Sequence, residues 1–242
     1  MAYCLDYAKM AIASYYTNTR QYYDSPPGYM VDDWKVQKFV KGGLFGDGFQ
    51  GAIFQKGKDV VVSCCGTNPD QLGKLFQDAI ADIKIALGCI PSQANSAGKL
   101  IDEAKRLVGP DGRVTVTGHS LGGGLAQVCG ITRNVPFVTF NAPAMRNAVT
   151  SGALGKRLKE VPGNVVVSTT GPMPGAAATG LNFALDTDLV STHVLGRDHL
   201  GVVVEMPNVL GEKSIVGAHS PENCWQAILA SDWSHIDPFE AL

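Results

Sequence analysis

The stretch VTVTGHSLGGGLAQV, residues 114–128, limits the folds open to this chain more than any other. Its first four residues are β-branched and read as a strand, and its tail reads as a helix. Between them stands Ser120, framed by Gly118 and Gly122. Glycine loses the most backbone freedom on folding, so a cluster of them marks a turn too sharp or too crowded for a Cβ. A strand that turns through one serine directly into a helix lifts the hydroxyl above the sheet edge, at the helix's positive end. The G-x-S-x-G pentapeptide alone would arise by chance in roughly one comparable sequence in six, so the strand and helix around it carry the reading. The competing reading is a plain glycine-rich turn in an α/β sheet.

The same alternation runs along the chain. GFQGAIFQKGKDVVVSCCGT reads as two strands joined by a Lys-Gly-Lys-Asp turn. Leu72, Leu75, Phe76, Ala79, Ile80, Ile83 and Leu87 then recur every three or four residues, as in an amphipathic helix that stops near Gly88. A second helix is expected over residues 94–108, with Leu100, Ile101, Ala104 and Leu107 on one face. Strand 113–117, the helix from Leu121 and strand 136–140 follow. NVVVS and LGVVVEM are further strands, and a closing helix covers residues 221–230. GPMPGAAATG, residues 171–180, is a loop by composition. The order implies an α/β fold with a mostly parallel central sheet flanked by helices. Nothing in composition marks an internal boundary, so residues 1–242 are expected to form one domain.

Composition narrows the partners. The chain is 45% hydrophobic and 17% charged with a net charge of −2, and this balance argues against nucleic acid. The six cysteines, Cys4, Cys64, Cys65, Cys89, Cys129 and Cys224, are enough for three disulfides. The adjacency of Cys64 and Cys65 and the helical place of Cys129 favour buried, reduced thiols and a reducing compartment. No C-x-x-C spacing supports a zinc site. No apolar run approaches the roughly 18 residues of a membrane span. MAYCLDYAKMAIASYY carries Asp6 and Lys9, lacks a basic start, and repeats Leu5, Ala8, Ile12 and Tyr15 at helical spacing. It reads as a packed helix and shows no ordinary secretion signal, which leaves the location open between the cytoplasm and export without an N-terminal signal peptide.

A serine hydroxyl is unreactive at neutral pH without a base, and the base needs a carboxylate to set its tautomer. In a fold with this elbow the order is Ser, then Asp or Glu, then His. Five histidines are available. His119 lies inside the elbow and must point away from the serine. His193 and His199 precede the last expected strand, and His235 follows the last helix. His219 alone falls in a loop after that strand and before the closing helix, and is the base by elimination.

Together, VVVSCCGT, VTVTGHSLGGGLAQV, FVTFNAPAM, DLVS, HLG and AHSPENCWQAIL resemble the class 3 lipases, the fungal triacylglycerol lipase-like branch of the α/β-hydrolases. The resemblance covers roughly residues 49–229. It implies an oxyanion hole built from Thr67, after the glycine of "GT", and the backbone N–H of Leu121. It implies that the acid is Asp188, matching a D-x-V pattern in TDLVS, with Asp186 in reserve. It aligns His219 and Ser220 with the family's base motif, where Cys224 or Trp225 takes the place of an aromatic. Cys65 stands where the family usually has arginine, and NVVVSTTG ends without the carboxylate expected after such a strand. Asp82, in IADI, resembles an acid that braces the oxyanion residue; the alternative is a polar-face residue one turn from Asp78.

The resemblance implies hydrolysis of lipid-like carboxylic esters by a lipase or esterase, through an acyl-enzyme on Ser120, with no metal or organic cofactor. Partners are then a lipid or small ester substrate and transient contact with a lipid interface. Phospholipase A action or acyl transfer would use the same groups, and a non-catalytic lipid-binding module of this fold is the alternative from another class. The helix around residues 72–87 serves either as a lid or as a core element, and GPMPGAAATGLNFAL is a second candidate flap.

Overall fold

A computed structural model describes residues 1–16, 30–41, 47–66, 90–146, 166–167, 180–193 and 198–239. Among them, nine strands build one sheet: β1 (Met30–Val31), β2 (Trp34–Val40), β3 (Gly51–Lys56), β4 (Asp59–Cys64), β5 (Arg113–His119), β6 (Phe137–Phe140), β7 (Val166–Val167), β8 (Gly180–Leu185) and β9 (Val202–Met206). The helices are α1 (Cys4–Tyr16), α2 (Ile90–Val108), α3 (Leu121–Arg133), α4 (Leu189–His193), α5 (Ile215–His219) and α6 (Pro221–Leu229), followed by a 3-10 turn, Asp232–His235. The strand order is β1-β2-β3-β4-β5-β6-β8-β9-β7. β1 to β4 form an antiparallel meander, and the remaining pairings are parallel. β3 and β4 pair from Lys56 to Asp59 across a two-residue turn, whose Gly57 has φ 59°. A tight hairpin asks for that positive φ.

Strands β5, β6 and β8 are buried on both faces, with the few polar side chains hydrogen-bonded, because helices cover both. Alternate residues of one strand enter different cores. Val61 packs with α1, α6 and Trp233, whereas Val60 and Val62 pack with α2 and α3. Val138 and Phe140 join the first cluster and Phe137 the second. Helix α3 is buried continuously from Leu121 to Ile131, which accounts for its small and apolar composition.

Several local expectations shift. Helix α2 begins at Ile90 rather than 94; Pro91 stands in its first turn, where a missing N–H breaks no helical bond. Its buried stripe runs through Ala97, Leu100, Ile101 and Ala104, but Leu107 is exposed, and Val108 continues the stripe. Helix α1 forms as expected, yet its most buried face is Cys4, Tyr7, Met10, Ala11 and Ser14; Leu5 and Ile12 are only half-buried. The alternation in WKVQKFV marks β2, a strand absent from the expected order, with a bulge between Val36 and Lys38.

The largest correction concerns GLNFAL. Expected as the end of an apolar flap, it is β8, a strand with all six residues buried between β6 and β9. It lacks period-two alternation because both its faces are covered, and its small residues give it a loop-like composition. The helix over residues 72–87, the rest of that flap (171–179) and Cys89 lie outside the described residues. Cys4, Cys64, Cys65, Cys129 and Cys224 are buried free thiols.

Candidate active site

Strand β5 runs two residues beyond its β-branched stretch, to His119, and Ser120 joins it to α3. The serine takes φ 57° and ψ −131°, a strained backbone region that costs about 1–3 kcal/mol for a residue with a Cβ. The positive φ falls on the serine itself, not on Gly118 or Gly122. Those glycines answer to crowding. A Cβ on Gly118 would overlap the Gly122 carbonyl, and one on Gly122 would overlap the Cys64 carbonyl oxygen. Gly123 lets α3 approach β6, since a Cβ there would lie 2.6 Å from that of Ala142.

Two short helices then fix the place of the base. Ser214 caps α5 by accepting from the Gly217 N–H, and Ser220 caps α6 by accepting from Asn223, with Pro221 at the start of that helix. His219 sits at the junction, as the last residue of α5 rather than in an open loop. Its Nε2 lies 2.7 Å from Ser120 Oγ, and its Nδ1 lies 2.8 Å from Asp188 Oδ1. The carboxylate can only accept, so Nδ1 carries the proton and the serine hydroxyl donates to Nε2. All three residues are buried.

Asp188 follows β8, and this resolves the apparent absence of an acid after NVVVSTTG: a different strand delivers it. Its carboxylate also accepts from the main-chain N–H groups of Val190 at 3.3 Å and Ser191 at 2.9 Å, at the start of α4. Burial alone would raise its pKa, but the His219 ring and the Ser191 contacts outweigh burial and hold the carboxyl below its ordinary range. Asp186 is exposed, and its N–H continues the sheet by donating to Met206 O at 2.9 Å. Asp188 is therefore the acid brought to His219. The other histidines stand elsewhere. His193 and His235 are exposed, and buried His199 donates from Nε2 to Ser191 O at 2.9 Å.

Two residues that sequence reasoning gives no role support this group. Asn141, with φ 44°, accepts from the Leu185 N–H through Oδ1 and donates through Nδ2 to Ala218 O at 3.2 Å. It ties β8 to α5. His119 points away from the serine, as expected, but its Nε2 lies 2.7 Å from the carbonyl of His219. Burial, aided by the neighbouring His219 ring, pushes the His119 pKa from 6.5 down to about 3. Below pH 6.5 the unfolded chain therefore binds a proton that the folded protein refuses. Its stability contribution is complete above pH 6.5 and is lost as pH falls toward 3, at up to about 1.4 kcal/mol per pH unit. In His119→Gln, urea midpoints measured from pH 7 to 4 are expected to fall less steeply than in the wild type; an equal slope would refute the assignment.

Leu121 is buried as the first residue of α3, where main-chain N–H groups have no partner within the helix. Thr67 and Asp82 lie outside the described residues. Serine, imidazole and carboxylate linked in this way can perform acyl transfer: the imidazole removes the hydroxyl proton and the carboxylate stabilises the resulting imidazolium.

A family model described as phospholipase-like, Tle-like phospholipase domain, matches residues 8–163. The chain belongs to the Tle-like phospholipase domain family. This Tle-like domain is 31% identical over 141 residues to the putative lipase ATG15 of Mycosarcoma maydis, across 52% of the chain and 26% of the fungal protein. It is 34% identical over 97 residues to the extracellular phospholipase A1 of Serratia liquefaciens, across 40% of the chain and 28% of the bacterial protein. The Tle-like chain thus matches only about a quarter of the length of either relative. Its fold is the α/β-hydrolase fold of solved lipases. Lip2 lipase of Yarrowia lipolytica superposes with a TM-score of 0.55 over 84% of this chain and 77% of its own, at 15% identity. A mutant form of MDLA from Penicillium cyclopium gives 0.52 over 87% and 80%, also at 15% identity. Identities this low speak for the fold alone.

Proposed function

We propose that this chain is a carboxylic ester hydrolase that cleaves acyl esters of lipids through an acyl-enzyme on Ser120. The observation that carries the reading is the hydrogen-bonded series Ser120–His219–Asp188 at the carboxyl edge of a parallel sheet. In the forward step Ser120 Oγ bonds to the acyl carbon while His219 Nε2 takes its proton. The imidazolium then returns that proton to the departing alcohol oxygen. Water, deprotonated by the same nitrogen, attacks the acyl-serine, and the imidazolium returns that proton to Ser120 Oγ as the acyl carbon–Oγ bond breaks and the carboxylic acid leaves. The Leu121 N–H, together with that of Thr67, holds the negative oxygen of each tetrahedral intermediate.

Phospholipid acyl esters are the favoured substrates, because the matching family is phospholipase-like and one relative is named a phospholipase A1. A lipid surface is the favoured setting. Val209, Leu210, Ile215 and Val216 are all exposed on the segment that leads into His219, and a bilayer or emulsion would cover them. A fluorophosphonate probe should label Ser120, and hydrolysis should be faster on phospholipid vesicles than on triglyceride emulsion or short p-nitrophenyl esters. Labelling absent at Ser120 would reject the hydrolase and favour a lipid-binding module. Labelling with a preference for short soluble esters would reject the lipid assignment alone.

A further inference from the structure

Helix α5 has only five residues, so its last carbonyls have no partner within the helix. The Ser220 N–H donates to Gly217 O at 3.1 Å, and side chains from elsewhere complete the series. Asn223 Nδ2 lies 3.4 Å from Gly217 O, Asn141 Nδ2 lies 3.2 Å from Ala218 O, and His119 Nε2 lies 2.7 Å from His219 O. The shortest contact falls on the base's own carbonyl. It comes from the residue immediately before the nucleophile, so one peptide unit links the position of Ser120 to that of His219.

His119 is held in turn. Its Nδ1 lies 2.7 Å from the hydroxyl of Tyr15, in the last turn of α1. A carbonyl cannot donate, so His119 Nε2 carries the proton, Nδ1 is the acceptor, and the Tyr15 hydroxyl donates to it. The His119 and His219 rings lie 4.8 Å apart, tilted by 40°. A charge on His119 would oppose the imidazolium that forms on His219 during turnover, and the Tyr15 donor secures the neutral tautomer. The tyrosine oxygen is itself closely fitted, because a Cβ on Gly66 would come within 2.5 Å of it.

We propose that Tyr15 and His119 are positioning residues for the base. Tyr15 sets the tautomer of His119, and His119 fixes the main chain of His219 so that Nε2 meets Ser120. Without Tyr15, His119 is free to take the opposite tautomer, which turns a lone pair toward the His219 carbonyl and repels it. The inference rests on the hydrolase reading of the same site.

The test compares Tyr15→Phe, His119→Gln and His119→Leu for kcat, KM and thermal melting. Glutamine places an amide N–H near where the imidazole Nε2–H was, and leucine places none. His119→Leu is expected to lower kcat about 10²-fold with KM unchanged, the scale of a reacting group displaced by about 1 Å. Tyr15→Phe should cost about tenfold, the worth of one hydrogen bond, and His119→Gln should recover most of what leucine loses. Wild-type kcat in folded Tyr15→Phe, or equal losses in the glutamine and leucine variants, would overturn the proposal. If His119→Leu does not fold, the tyrosine and glutamine variants decide. Proton NMR provides a readout independent of turnover. The downfield His219 Nδ1–H signal should be present in the wild type and broadened or shifted in Tyr15→Phe, and an unchanged signal would count against the proposal. A Ser120→Ala variant as active as the wild type would instead overturn the hydrolase reading, leaving the NMR result to judge the docking of His219.

Discussion

Ser120→Ala is expected to abolish ester hydrolysis, with a loss on the order of 10⁶ in kcat. The magnitude follows from the unit character of the group. Without Oγ there is nothing for His219 Nε2 to deprotonate at the acyl carbon, and the oxyanion donors and binding surface alone supply only a small residual rate. The fold should survive. The substitution removes one buried oxygen, adds no atom to the crowded elbow, and leaves the strained backbone at position 120 with the same Cβ. The measurement is kcat on a phospholipid or ester substrate alongside a melting curve. A folded variant with a tenth of wild-type activity would show that the nucleophile is elsewhere.

Asp188→Asn is expected to lower kcat by about 10⁴-fold, and Asp186→Asn to be mild by comparison. An asparagine amide facing His219 Nδ1 donates an N–H hydrogen bond to it, so Nδ1 must be the acceptor. The imidazole then carries its own proton on Nε2, where it confronts the Ser120 hydroxyl and cannot act as a base. Asparagine still offers an oxygen to the Ser191 N–H, so the start of α4 keeps its acceptor. The defect should therefore appear in kcat more than in stability. Asp186 is exposed and contributes to the sheet through its main chain, so its side-chain amide removes only a neighbouring charge. A severe defect at Asp186 with near-normal kcat at Asp188 would reverse the assignment.

Near-neighbour chemistry makes the elbow legible. The β-branched run, the glycines and the apolar helix are all encoded within residues 114–128, because strand and helix periods are properties of short segments. His219 can be found by elimination from chain order alone. The acid is less clear, since the apolar run at 180–185 has the composition of a flap, which hides its role as the delivering strand. A strand buried on both faces loses the alternation that identifies one, and only its place between β6 and β9 shows what it is.

Local sequence therefore specifies the α/β class, the strand–serine–helix turn and the residue types able to perform acyl transfer. Tertiary structure alone decided which of two aspartates meets the imidazole and what holds that imidazole in place. Asp188 and His219 are 31 residues apart, Ser120 and His219 are 99 apart, and Tyr15 and His119 are 104 apart. A hydrogen bond over about 3 Å between such distant positions depends on the packing of whole helices against both faces of the sheet. No local period records that packing.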